Sequence, residues 1–146
     1  MAQQTAQTAL TKHLELTILT PEKSLFKDTV ESLTLPGAEG ELGILPGHIA
    51  LITRLQWGEL RVRLSDGKTI HVAVLGGFAE VNHNTVTVLA DAAELSDEID
   101  AERAHKARAR ALERLAQKKA EVDYARAQAS LARAEVRLKV LGRTAN

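Results

Sequence analysis

The spacing of apolar residues changes once along this chain, near Ala90, and this change constrains the fold more than any other feature. Before it, apolar and polar residues alternate in four short runs, at residues 14–18, 60–64, 70–74 and 86–88. Such alternation places one face of a strand in a core and the other in water. Residues 97–141 contain neither proline nor glycine and are rich in residues that favour helix. We therefore predict a strand domain followed by helices.

Two turn signals separate the alternating runs. Ser65-Asp66-Gly67-Lys68 contains Asp-Gly, which favours a tight hairpin. Asn82-His83-Asn84 is a second predicted hairpin turn, because asparagine tolerates positive φ. Many short strands joined by regular turns are typical of an antiparallel sandwich or barrel.

The second half of the chain predicts an antiparallel hairpin of two helices. We expect Ser96 or Asp97 to cap the first helix, residues 117–121 to form the turn, and Gly142 to end the second helix. The surfaces predicted to face each other are rich in alanine. Alanine buries little apolar area, at roughly 25 cal/mol per Å². The hairpin should therefore be only marginally stable by itself and able to leave its docking site.

Composition argues against several functions. Nineteen basic residues balance nineteen acidic ones, so no general attraction to nucleic acid is expected. Without cysteine there is no disulfide or thiol chemistry, and the five histidines lack metal-ligand spacing. Gly76-Gly77 is too short for a phosphate loop, and no serine lies in a nucleophile elbow. We predict no catalytic residue, no metal site and no membrane-spanning segment, which would need roughly 20 apolar residues.

One loop combines glycine, proline and apolar residues. Residues 40–48 read Gly-Glu-Leu-Gly-Ile-Leu-Pro-Gly-His. Glycine permits positive φ and proline fixes its own φ, so the loop should have a defined and stiff shape. It is either a structural turn or a binding loop on the rim of the sandwich.

The charged residues of the helices also allow two interpretations. Asp100 and Arg103 lie three apart and share a helix face, as an ion pair at a helix start would. Arginines recur at helical spacing in both helices, and an antiparallel hairpin would let the two stripes converge. Converging guanidinium groups suit phosphate. Composition alone favours a solvated basic face with acidic partners nearby. The stripe residues are Arg103, Arg110, Arg126, Arg133 and Arg137.

Three segments, taken in order, resemble the epsilon subunits of F-type ATP synthases. They are residues 40–48, Leu-Gly-Gly-Phe-Ala-Glu-Val at 75–81, and Val-Thr-Val-Leu-Ala-Asp-Ala-Ala-Glu at 86–94. The resemblance covers roughly residues 12 to 141. It implies an α+β, mainly β, fold: an antiparallel β-sandwich of about ten strands and a C-terminal two-helix hairpin. The corresponding domains are an extension at 1–11, the sandwich at 12–91 and the regulatory hairpin at 92–146.

The same resemblance implies a non-catalytic rotor subunit of the central stalk. Such a subunit binds the gamma subunit and the ring of c subunits, and it couples proton transport to ATP synthesis. Its hairpin restrains ATP hydrolysis by extending toward the catalytic alpha and beta subunits. It is peripheral to the bacterial cell membrane, on the cytoplasmic side, through the complex. Glu41 and His48 match loop positions that lie near gamma and the ring.

Part of this family binds ATP as a regulatory ligand, through an Ile/Leu-Asp-x-x-Arg-Ala motif and arginines in both helices. We therefore expect ATP to bind the hairpin, with no cofactor required for function. The residues that match the motif and its further contacts in type are Glu94, Ile99, Asp100, Arg103, Ala104, Arg110, Arg133 and Arg137.

The composition also argues against two other classes of protein. A ligand-binding β-sandwich module, such as a carbohydrate reader, usually presents aromatic stacking platforms, and Trp57 is the single tryptophan here. A nucleic-acid-binding helical hairpin would need excess positive charge, which the neutral formal net charge does not provide.

Overall fold

The computed structural model describes residues 12–120 and 122–144, so the predicted extension at 1–11 lies outside the described residues. Within them, eight strands precede two helices. The strands are β1 (Leu14–Leu19), β2 (Ser24–Val30), β3 (Ser32–Gly37), β4 (Gly40–Ile44), β5 (Leu51–Arg63), β6 (Thr69–Asn82), β7 (Thr85–Ala90) and β8 (Ala93–Leu95).

The strands form one sheet that folds over on itself into a sandwich. Their order is β2-β1-β7-β6-β5-β3-β4, with β8 also paired to β6. β5 and β6 pair along nearly their whole length. β7 pairs with the second half of β6, whereas β8 pairs with its first half. The pairing is antiparallel except between β1 and β7, which run parallel.

The expected count of about ten strands is wrong, because the described residues contain eight. β5 and β6 have 13 and 14 residues and stay continuous where they pass from one layer to the other. In β6 this passage lies at Gly76 and Gly77, whose φ values are +83° and +113°. Two glycines with positive φ let the strand bend and exchange partners without ending.

The alternating apolar residues fill the sandwich core, as predicted. In β1, Leu14, Leu16 and Ile18 are at most 1% exposed. In β7, Val86 and Val88 are fully buried. Full burial of such a side chain contributes roughly 1.5–3 kcal/mol. This aliphatic core therefore supplies most of the hydrophobic stabilisation of the described chain.

Both predicted hairpin turns are present. His83 and Asn84 have φ values of 46° and 63°, which is the positive-φ pair of a two-residue turn between β6 and β7. Between β5 and β6, Gly67 has φ +85°. There the Lys68 backbone N–H donates to Asp66 Oδ1 at 2.9 Å.

Two helices follow the sheet, α1 (Ala101–Ala116) and α2 (Tyr124–Thr144). They pack against each other as a hairpin, and α2 also lies on β5 and β6. This confirms the predicted helical hairpin. Where α2 meets the sheet, Val140 packs with Ala73 and Ile99 in a small apolar cluster. Only a few apolar side chains therefore hold the hairpin on the sandwich.

The first helix begins later than predicted. Ser96–Glu98 forms a 3₁₀ turn, and α1 starts only at Ala101. The cap is Asp100, whose Oδ1 accepts a hydrogen bond from the Arg103 backbone N–H at 3.0 Å. The expected caps, Ser96 and Asp97, are therefore wrong.

The second helix also ends later than predicted. It starts after Asp123, whose Oδ1 accepts from the Arg126 backbone N–H at 3.0 Å. It continues through Gly142 to Thr144. A glycine near a helix end costs only about 1 kcal/mol relative to alanine, which does not stop the helix here.

We expect residues 12–95 to fold without the helices, because the core cluster of the sandwich is drawn from the strands. Ending this shortened chain after Leu95 retains β8 on β6. The shortened protein should be soluble. Circular dichroism should show that it is rich in strand and unfolds in a cooperative transition. An unfolded or aggregated product, beside a folded full-length chain, would contradict this prediction.

Candidate functional site

A cavity of about 250 Å³ lies where the start of α1, the body of α2 and β8 meet. Of the predicted ATP-binding residues, all except Ile99 and Arg133 line it. The lining residues are Glu94, Glu98, Asp100, Arg103, Ala104, Ala107, Arg110 and Arg137. The structure thus brings together acidic and basic residues that are up to 43 positions apart.

Local structure at the start of α1 explains how the arginines reach the cavity. Because Asp100 caps the helix, Arg103 stands in its first turn. Arg110 lies two turns further along the same face. The positive end of the helix dipole lies at this same end and favours anions. An anion in the cavity would meet two arginines of α1 and one of α2.

Arg137 is tied to Glu94 across the cavity wall. Its Nε donates to Glu94 Oε2 at 2.6 Å, and the two side chains are 28% and 39% exposed. Both residues also line a neighbouring cavity of about 390 Å³, whose floor includes Ala73 and Leu75. Glu94 therefore orients Arg137, and a bound phosphate would have to share this arginine with the carboxylate.

Two predicted residues lie outside the cavity. Ile99 is 8% exposed and packs with Val140, so it helps to dock the hairpin. The Arg133 guanidinium carbon lies 5.6 Å from the centroid of the Trp57 ring. Its Nη2 donates to Ser130 Oγ at 3.0 Å. Arg133 therefore lies against Trp57 and is not among the residues that line the cavity.

The glycine-rich loop lies beside the turn between β6 and β7. The Gly47 backbone N–H donates to Asn84 Oδ1 at 2.7 Å, which joins the loop to that turn. His48 closes the loop, because its backbone N–H donates to Leu45 O at 3.1 Å. The first part of the predicted loop is a strand, because Gly40–Ile44 forms β4. Glu41 therefore sits on β4, opposite Pro36 of β3. Its carboxylate accepts two hydrogen bonds from the Arg61 guanidinium, at 2.9 and 3.0 Å.

An exposed apolar surface, which the sequence reasoning missed, includes the end of this loop. Phe78 on β6 lies between Arg54 of β5 and Leu89 of β7. The surface therefore extends over the outer face of three strands. Exposed apolar surfaces of this kind mark interaction sites. In the sequence, the signal for this surface was apolar residues at strand positions that face away from the core. The outer apolar face comprises Leu45, Ile49, Ile52, Phe78 and Leu89, which are 64%, 78%, 72%, 52% and 54% exposed.

The described residues offer neither a metal site nor a membrane-spanning helix. Among residues 12–120 and 122–144, no group of three or more His, Cys, Asp or Glu side chains is placed to hold a metal ion. Neither helix described by the structure is long and apolar enough to cross a membrane.

The sandwich, the helical hairpin and the order of the two define a subunit of the ATP synthase delta/epsilon type. Residues 13–96 match the model of the ATP synthase delta/epsilon chain beta-sandwich domain. Residues 97–142 match the model of the delta/epsilon chain long alpha-helix domain. The chain belongs to the ATP synthase epsilon chain family. It is therefore a non-catalytic subunit of the central stalk of ATP synthase.

Relatives at high identity support this assignment. The ATP synthase epsilon chain of Nitratidesulfovibrio vulgaris (strain DP4) is 51% identical over 131 residues, covering 90% of this chain and 97% of that protein. The epsilon chain of Syntrophobacter fumaroxidans is 47% identical over 136 residues, covering 92% and 100%. This family, rather than a carbohydrate-reading sandwich or a nucleic-acid-binding hairpin, accounts for the whole matched chain.

Solved structures show the same architecture. A chain of the Euglena gracilis mitochondrial ATP synthase, in its OSCP/F1/c-ring assembly, matches with a TM-score of 0.76 at 28% identity, covering 88% of this chain and 81% of that one. A chain of the Tetrahymena thermophila mitochondrial central stalk and c-ring matches with a TM-score of 0.54 at 19% identity, covering 90% and 97%. The second likeness shows the fold alone.

Proposed function

We propose that this chain joins the rotor through its sandwich and regulates ATP hydrolysis through its hairpin. The sandwich would dock on the gamma subunit and the c ring and so take part in coupling proton transport to ATP synthesis. The complex would hold the chain at the cytoplasmic side of a bacterial cell membrane. The observation that carries this proposal is the outer apolar face, which adjoins the loop of residues 40–48.

The outer apolar face supports docking because its residues are large, and three of them, Ile52, Phe78 and Leu89, lie on paired strands. Burying such side chains against a partner contributes roughly 1.5–3 kcal/mol each before the entropic cost of association. Ile52 lies opposite Glu80, and Arg54 opposite Phe78, so polar groups flank the apolar ones. A mixture of apolar anchors and polar neighbours is the usual composition of an interface.

The contacts between the hairpin and the sheet support a regulatory role, because they are few and the hairpin could leave the sheet. Val140 and Ile99 pack on Ala73, and the Glu94–Arg137 ion pair adds a polar contact. Releasing these contacts exposes little apolar area. An extended hairpin that reaches the catalytic alpha and beta subunits would therefore lie within a modest free energy of the docked one.

The cavity supports ATP as the ligand that sets this equilibrium. Arg103 and Arg110 come from α1, Arg137 comes from α2, and Glu94 comes from β8, so the cavity exists only while the hairpin is docked. A polyphosphate would offset the repulsion among the arginines. Because a ligand shifts an equilibrium only by differential affinity, ATP would favour the docked, non-inhibitory state.

Purification of the assembled enzyme tests the rotor assignment. Phe78→Asp and a Glu41→Gln/His48→Ala double variant should each reduce the amount of this chain recovered with gamma. A truncated interface anchor costs about 1–2 kcal/mol, so the loss should be about fivefold or more for Phe78→Asp. Phe78→Asp should leave ATP binding by the isolated subunit unchanged, because Phe78 is exposed on the outer face and does not line the cavity.

Lys27→Ala, on the exposed part of β2, is the matched control and should be recovered like the wild type. Full recovery of both interface variants, with unchanged proton pumping, would overturn the docking assignment.

A further inference from the structure

Glu59 is the buried charged side chain of the described sandwich. It lies on β5 with its side chain 1% exposed, under the end of α2. A buried carboxylate is costly unless it is paired. Its partners are Arg61 Nη1 at 3.2 Å, His71 Nδ1 at 3.5 Å and Arg143 Nε at 3.6 Å. Arg143 belongs to the last turn of α2, so the pairing of Glu59 joins the two domains.

His71 lies next to the Glu59 carboxylate, with Glu59 Oε2 and His71 Nδ1 3.5 Å apart. Neither atom has a hydrogen-bond partner among the described residues. Arg143 Nε lies 3.6 Å from the same Glu59 oxygen, so the charge of Arg143 stabilises this buried carboxylate.

Arg61 connects Glu59 to the glycine-rich loop. Its Nη1 donates to Glu59 Oε1 at 3.2 Å and to Glu41 Oε1 at 3.0 Å, and its Nη2 donates to Glu41 Oε2 at 2.9 Å. The hydrogen bonds and charge of Arg61 hold the pKa of Glu41 below its usual value, and Lys139 and Arg143 add to this. The pKa of Arg61 is raised above its usual range by hydrogen bonds to Glu41 and then Glu59. Glu41 on the loop is thus within the electrostatic field of α2.

We propose that the four alternating charges Glu41, Arg61, Glu59 and Arg143 form an electrostatic link between the glycine-rich loop and the docked end of α2. Removing the charge of Glu41 leaves Arg61 with Glu59 alone, so Arg61 competes with Arg143 for that carboxylate. It also removes an attraction for Lys139 and Arg143. Both effects loosen α2, and by reciprocity release of α2 changes the loop.

The link is a property of the isolated chain, whereas its use in the motor rests on the proposed function. A rotor partner that draws Glu41 away from Arg61 would favour hairpin release. A partner that leaves the pair intact would favour docking. Contact with the rotor and the position of the hairpin would then be coupled without passing through the nucleotide cavity.

Thiol labelling of the full chain, without nucleotide, tests the link. The protein has no cysteine, and Val140 is fully buried on the side of α2 that packs against Ala73 and Ile99. Val140→Cys should therefore react with an aromatic disulfide only when α2 leaves the sheet. Glu41→Gln and Arg143→Gln should each raise the labelling rate about two- to fivefold, the range for partly exposed ion pairs. In the Arg143→Gln background, Glu41→Gln should add little, because the two act through one network. At about 1 M salt the effect of Glu41→Gln should shrink.

Glu31→Gln is the matched control, since it breaks another ion pair of the same sheet, with Arg63 at 3.0 Å, and should leave the rate unchanged. Emission of Trp57, the single tryptophan, beneath Arg133, provides a second readout that needs no cysteine. Wild-type labelling and emission for Glu41→Gln, or an equal increase in the Arg143→Gln background, would overturn the proposal. The rotor assignment would stand in either case, because it is tested by recovery with gamma.

Discussion

Replacing Gly77 with alanine is expected to destabilise the sandwich by about 3–5 kcal/mol. Gly77 has φ +113°, a backbone conformation that residues with a side chain rarely adopt. A Cβ there would lie 2.0 Å from Leu89 O and 2.8 Å from Ala90 Cα. Both atoms belong to the backbone of β7, which cannot move away without breaking its pairing with β6.

The expected loss is large because Gly77 lies at the bend on which both layers depend. It pairs with Leu55 on β5 and with Ala90 on β7. Urea unfolding followed by circular dichroism measures the change in the free energy of unfolding. Gly43→Ala is the matched control: a Cβ on Gly43 would have open space around it, so the change should stay within about 1 kcal/mol. Equal midpoints for the Gly77 and Gly43 variants would contradict the argument.

Much of the sandwich could be predicted from local pattern. A residue such as Leu16 or Val88 alternates with polar neighbours, and alternation by itself fixes which side chains enter the core. The strand count could not be predicted in this way. Glycine weakens a strand, yet β6 continues through Gly76 and Gly77 because β5 stays paired on one side. Continuity of a bent strand is decided by its partners, which lie far away in sequence.

The candidate sites could also be predicted only in part, because some of their contacts join residues that are far apart in sequence. The resemblance to the family, through the motif around Asp100 and Arg103 and its further contacts, supplied most of the residues that line the cavity. Helical spacing alone favoured an ion pair and a solvated basic face. It did not reveal that Arg133 stacks on Trp57, a residue 76 positions earlier. Glu59 was not singled out, since an acidic residue in an alternating strand resembles an exposed one. It lies against Arg61, His71 and Arg143, and Arg143 comes from α2, which is distant in sequence.

Arg103→Ala is expected to weaken ATP binding by about 1.5–3 kcal/mol, or roughly 10- to 100-fold in Kd. The prediction presumes that the wild-type subunit binds ATP, which calorimetry of the isolated chain measures directly. The loss has this size because an arginine that contacts phosphate makes a charge-assisted hydrogen bond. In the assembled enzyme, the same change should deepen inhibition of hydrolysis at millimolar ATP, since ATP would then stabilise the docked hairpin less.

Arg103 is the most informative position for this test, because its side chain lines the cavity whereas its backbone N–H takes part in the helix cap. Asp100 caps α1 through the Arg103 backbone N–H, which alanine retains, so the helix start should survive the substitution. Arg137→Ala would also break the ion pair with Glu94. A loss of ATP binding could then come from the missing phosphate contact or from the weaker docking of the hairpin. Arg108→Ala, on the exposed face of α1, is the matched control and should keep the wild-type affinity. No heat of binding by the wild-type chain at several millimolar ATP, or equal affinities for the Arg103 and Arg108 variants, would leave these arginines as a solvated or partner-facing surface.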